Sequence, residues 1–111
     1  RSREAKAQKT EARKNMEKLR LDITAEVRNA VDNLDLAKQE LSIQRTIADL
    51  VRKNRDLVKK EYSAGQSSLV RLNEAQRDMT SAQGQLALAL VSFHQARFDL
   101  ESALGTIQNQ F

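Results

Sequence analysis

The sequence predicts an all-α fold: a long antiparallel two-helix coiled-coil hairpin. Three observations lead there. Apolar residues reach 40% and charged residues 31%, while aromatics make up only 4% and proline is absent. That mix of Ala, Leu, Gln, Glu, Lys and Arg suits long helices better than a compact mixed domain. Apolar positions recur with a period of about 3.5 residues through both halves. The one convincing break lies in "KKEYSAGQSSLVRL", residues 59–72, around Gly65.

The first helix is expected over about residues 3–63. Its track runs Ile23, Val27, Ala30, Leu34, Ala37, Leu41, Gln44, Ala48, Val51, Arg55, Val58, Tyr62, in alternating steps of four and three. Only Gln44 and Arg55 are ill suited to a buried seam. The turn, residues 64–67, rests on Gly65, which can take a positive φ where other residues meet a steric cost. Ser67 or Ser68 can then cap the next helix through its hydroxyl. The second helix, about residues 68–106, repeats the pattern with Leu72, Ala75, Met79, Ala82, Leu86, Ala89, Phe93, Ala96, Leu100, Ala103 and Ile107. Gly105, in "ALGT", is expected to stop it. Gly84, inside the helix, costs about 1 kcal/mol relative to alanine and marks either a close contact or a slight bend.

The two tracks mirror each other. Folding back at Gly65 places residues opposite one another when their numbers sum to 130, a value set by Gly65 alone. Leu41 then meets Ala89, Ala37 meets Phe93, Leu34 meets Ala96, Ala30 meets Leu100, and Val27 meets Ala103. Large faces small at every level, so two helices can approach closely without voids. A parallel partner would not need this symmetry. Residues 1–22 overhang the hairpin.

Each helix carries a second apolar stripe: Leu36, Ile43, Ile47, Leu50 and Leu57 on the first, and Leu90, Val91, Phe98 and Leu104 on the second. These lie roughly 100–130° around from the main seam. A lone hairpin leaves both in water, so each helix is built to touch neighbours on two flanks, as in a bundle or ring, and the isolated chain is expected to self-associate.

Charge is unevenly placed. Residues 1–20 hold eight Lys or Arg against three Glu, or +5; the remainder holds eleven basic against twelve acidic residues, or −1. Such an arm could bind nucleic acid or anionic lipid. The alternating signs, with Ala5, Ala12, Met16 and Leu19 at helical spacing, favour a solvated helix, and no nucleic-acid partner is expected. No apolar window approaches the 18 residues of a membrane-spanning helix. The chain begins at Arg1, without an initiator methionine or a signal-peptide pattern, and reads as a piece of a longer protein.

Chemistry is sparse. Catalysis needs a nucleophile, base or metal in a concave pocket, and two helices provide none, so no catalytic residue, metal ligand or cofactor is assigned. His94 is the only histidine and there is no cysteine to complete a metal set. "SAGQSS" is too short for a phosphate loop and lacks its lysine. Met79, at a seam position, reads as core filler.

The segment "YSAGQSSLVRLNEAQRDMTSAQGQLALALVSFHQARFDLESALGT", residues 62–106, resembles the closing section of outer membrane efflux proteins of the TolC family. The likeness is carried by Tyr62 and Gly65 in a Y-x-x-G turn, the apolar pair after it, Ala75, the long Ala/Gln/Leu helix and Leu104-Gly105. Upstream, "AEVRNAVDNLDLAKQ" resembles the preceding long helix of that family, and the similarity covers most of residues 5–107.

The resemblance implies one hairpin of a trimeric, twelve-helix periplasmic tunnel beneath an outer-membrane β-barrel in a Gram-negative cell. It serves efflux or type I secretion within a tripartite system. The turn would lie at the periplasmic entrance, meeting a periplasmic adaptor protein and through it an inner-membrane transporter. The residues implied for entrance gating or adaptor contact are Tyr62, Gly65, Gln66, Ser67, Arg71 and Glu74. Some members place an arginine where this chain has Ser67. Others carry acidic residues at the positions of Arg71 and Glu74, of which only Glu74 is acidic here. Seam packing accounts for Tyr62 as well as a gate does, and the turn alone accounts for Gly65. Two other readings stand beside this one: the hairpin of a periplasmic adaptor, and a basic coiled-coil protein that binds nucleic acid through residues 1–20.

Overall fold

The computed structural model describes the backbone of residues 2–110 and the side chains of residues 2–106 and 108. Two helices make up the fold, α1 (Ser2–Ser63) and α2 (Leu69–Gln110), with no strand among the described residues. They pack side by side in a rod of 94 × 19 × 13 Å. The 62 residues of α1 rise about 1.5 Å each and so set the length of the rod.

The seam follows the heptad pattern. Ile23, Ala30, Leu41, Ala48 and Val58 of α1 are buried, as are Ala75, Met79, Ala82, Ala89, Ala96 and Ala103 of α2. Val27, Leu34, Ala37 and Val51 are half-buried between them, as are Leu72, Leu86, Phe93 and Leu100 opposite. On α2 alanine recurs every seven residues from Ala75 to Ala103. A methyl group at each of these five levels of α2 lets the backbones come close there, while the half-buried larger residues flank the seam. Gln44 and Arg55 are half-buried and turn their polar ends outward. The Gln44 amide donates to Glu40 Oε1 at 2.8 Å, and the Arg55 guanidinium donates to Asp56 Oδ1 at 3.0 and 3.2 Å. The side chain of Ile107, the last expected seam residue, lies outside the described residues.

Gly105 does not stop α2, which continues to Gln110. Gly65 is the only glycine with a positive φ among the described residues, so Gly105 keeps helical geometry. The physical reason is the overhang. α1 extends past this level and offers a rail against which α2 continues, and that outweighs a glycine penalty of about 1 kcal/mol. A Cβ built on Gly105 meets nothing within 4 Å. Gly105→Ala should therefore stabilise the chain by about 0.5–1 kcal/mol, read as a higher urea midpoint at fixed protein concentration.

Gly84 also sits in regular helix, and a Cβ there meets nothing within 4 Å. No contact within the chain calls for a glycine at this position.

Residues 2–22 are exposed throughout, and most of this stretch lies beyond the end of α2. Both second stripes are exposed as well: Leu36, Ile43, Ile47, Leu50 and Leu57 on α1, and Leu90, Val91, Phe98 and Leu104 on α2.

Candidate functional site at the hairpin tip

The last turn of α1 ends in a double hydrogen-bonded wrap. The Gln66 amide donates to the Glu61 carbonyl at 2.7 Å, and the Gly65 amide donates to the Tyr62 carbonyl at 3.0 Å. This six-to-one and five-to-two pair is a Schellman motif, which satisfies carbonyls the helix end would otherwise leave open. It requires a left-handed residue after the helix, and Gly65 supplies it with φ +75°. The backbone reverses there at little steric cost.

The return helix is capped by Ser68. Its hydroxyl accepts a hydrogen bond from the Arg71 amide at 3.2 Å, three residues on, which is the N-cap geometry. Of the two serines that the sequence offers, the structure uses the second. The Ser67 Oγ is buried and has no hydrogen-bond partner. Ser68→Ala should cost about 1 kcal/mol of stability. Ser67→Ala should be close to neutral, because it removes an unpaired buried hydroxyl. Paired urea titrations of the two variants test this, and equal losses would contradict the capping assignment.

Arg71 reaches across the hairpin to Glu61, with Nη1 3.7 Å from Oε2. Arg71 is largely exposed, so the pair contributes no more than about 1 kcal/mol. It marks which levels face each other. Glu61 is half-buried over the end of the seam.

Tyr62 does not continue the seam as its heptad position suggested. It is 41% exposed, and the half-buried Glu61 takes the last level. The cause is the start of the partner helix. Tyr62 stands about level with Leu69, the first residue of α2, which is itself 54% exposed. Beyond it only the turn remains, and nothing there can cover a ring.

The tip thus gathers Tyr62, Gly65, Gln66, Ser67 and Arg71 within one reversal of the chain. Glu74 stands about one turn further along α2, exposed. A shallow groove beside the tip is lined by Arg55 and Lys59 of α1 and by Leu72, Asn73 and Gln76 of α2. Two residues of the tip are absent from the sequence-based set, Glu61 and Ser68. The mirror rule about Gly65 carried the signal for Glu61, since it places a carboxylate almost opposite Arg71. The three-residue spacing from Ser68 to Arg71 fits a cap as well as the spacing from Ser67 does to Val70, so spacing alone does not separate the serines.

No described helix is long and apolar enough to cross a membrane. Comparison with known proteins returns one family, the outer membrane efflux proteins, whose model matches residues 1–106. No curated protein and no solved structure matches the chain. The matched span takes in both seams, the overhang and the whole tip. The chain belongs to the outer membrane efflux protein family, a family of transport channels of the outer membrane and not of enzymes.

Proposed function

We propose that this hairpin is a periplasmic tunnel segment of an outer-membrane channel that serves efflux or type I secretion in a tripartite system. The observation that carries the reading is a hairpin sealed along its inner seam but apolar and exposed on both outer flanks. A free-standing rod would lose solubility by this design, whereas a closed wall of helices needs it. The tip lies at the periplasmic entrance and meets a periplasmic adaptor protein, which links it to an inner-membrane transporter. The parent is a homotrimer, and no catalytic residue, metal or cofactor takes part.

In this reading the tip set divides by role. Gly65 and Gln66 build the reversal through backbone geometry. Ser67, Arg71 and Glu74 lie on the return side, where the adaptor arrives. Tyr62 projects from the tip with its ring partly in water, available to pack on one neighbour and donate its phenolic hydrogen bond to another. One such bond contributes about 0.5–1.5 kcal/mol, so three in a trimer bias a closed entrance by a few kcal/mol.

The test is single-channel recording of the full-length parent in planar bilayers. The wild type should conduct, and absence of conductance would overturn the channel reading. Tyr62→Phe should raise conductance while leaving helix content unchanged. An unaltered conductance would reduce Tyr62 to a surface residue of the turn.

A further inference from the structure

The charges of α1 stand in columns. Lys38, Arg45, Arg52 and Lys59 recur at intervals of seven, and all four are exposed. Asp35, Asp49 and Asp56 form a second column, with Ser42 at its one gap. At 100° per residue the two columns lie about 60° apart. The basic column also lies about 160° around α1 from the apolar stripe of Leu36, Ile43, Leu50 and Leu57. A neighbouring helix that covers the stripe therefore leaves the basic column open.

The facing edge of α2 does not answer these charges. Lys59 shares a groove with Gln76 of α2. Seven-residue steps in opposite directions from that pair bring Arg52 level with Gln83, Arg45 with Leu90 and Lys38 with Arg97. The partners across the hairpin are thus two amides, a leucine and a like charge, with no carboxylate. Among the described residues Lys38, Arg45 and Lys59 form no ion pair, and Arg52 has an exposed one at 3.4 Å with Asp49 of its own helix. The ion pair that does cross the hairpin, Glu61 with Arg71, lies on the opposite edge.

We propose that this face docks an acidic helix of a partner protein, laid along α1 with carboxylates at seven-residue intervals. The row runs straight for about 30 Å with a charge every 10 Å or so, a spacing that a second helix repeats in register. The aspartate column argues against a polyanion. A nucleic acid or an anionic lipid surface laid on the row would also meet Asp35, Asp49 and Asp56. A helix avoids that conflict, because side chains three or four residues apart can turn carboxylates to the basic column and bases or amides to the aspartates. Each exposed pair is weak by itself, so the row sets register and orientation more than strength. Leu72, in the groove beside Lys59, and Leu90 add apolar contact. Copies standing with their tips together, as in the proposed wall, all turn this face the same way, so a second copy does not reach it. In excluding a second copy the inference rests on the channel reading.

The test is photo-crosslinking in cells that make the full-length parent. A photo-reactive residue in place of the exposed Gln83, level with Arg52, should capture a protein segment with Asp or Glu at seven-residue intervals. The same residue in place of Gln85, about 160° around α2, should not capture it. Arg45→Glu combined with Arg52→Glu should lower the capture at least tenfold with helix content retained, and lysines in place of the captured carboxylates should restore it. Capture of a second copy, a lipid or a nucleic acid would overturn the proposal. So would a captured segment without such a row, or capture indifferent to the charge reversal. A parent that conducts in bilayers yet captures nothing at Gln83 would overturn this proposal and leave the channel reading standing; capture with rescue in a parent that does not conduct would do the reverse.

Discussion

Met79→Ala should lower the stability of the hairpin by about 2–5 kcal/mol, the range for large-to-small changes at buried methionine and leucine sites. Met79 is 1% exposed and, with Val58, one of the two largest side chains that are fully buried. The other buried residues of α2 are alanines, so little beside Met79 can collapse into the space its thioether leaves. A long two-helix rod also has a thin core, and its net stability is a small difference between large opposing terms. The change is read as a lower urea midpoint, with protein concentration held fixed because self-association would otherwise shift it. A loss under 1 kcal/mol would mean that the seam is more plastic at this level than its burial indicates. Ala103→Gly, toward the far end of the same seam, should cost only about the glycine penalty of 1 kcal/mol plus one lost methyl.

Gly65→Val should cost at least about 1–2 kcal/mol, the penalty for placing an L-residue in the left-handed region, and more because valine is branched at Cβ. The Cβ itself would meet nothing within 4 Å, so the loss comes from backbone strain alone. Gly65→Asn should cost clearly less, because asparagine tolerates this conformation. That ordering separates strain from crowding, since asparagine and valine are similar in bulk. If the two variants unfold at the same denaturant concentration, the positive φ is not what makes glycine necessary here. If the tip meets a periplasmic adaptor as proposed, a bulky residue at this position in the full-length parent should also impair that engagement, because it disturbs the wrap that sets the tip. Co-purification of parent and adaptor would show it.

The tip is built from few residues, yet it is both hydrogen-bonded and exposed. Its order comes from two backbone wrap bonds, donated by the Gly65 and Gln66 amides, and from one cap, in which the Ser68 hydroxyl accepts from the Arg71 amide. The side chains of Tyr62, Gln66 and Glu74 are thereby left exposed and free to meet a partner. Exposure costs the hairpin little, because no seam residue is lost to provide it.

The seam was legible in the sequence from Ile23 to Ala103 because burial between two helices depends on one variable, the angular position of each residue around its own axis. A heptad track reports that variable directly. The turn was legible because few residues other than glycine hold a positive φ, and Gly65 is the one glycine between the two tracks. The ends of the elements were not legible, because they depend on what lies alongside. Gly105 is a helix stop or a helix residue according to whether α1 runs past it, and it does. Tyr62 is core or surface according to where α2 begins, and α2 begins too late to cover it. Ser67 and Ser68 are equivalent in spacing and type. Only the packed turn, which buries the first hydroxyl and leaves the second within reach of the Arg71 amide, decides between them.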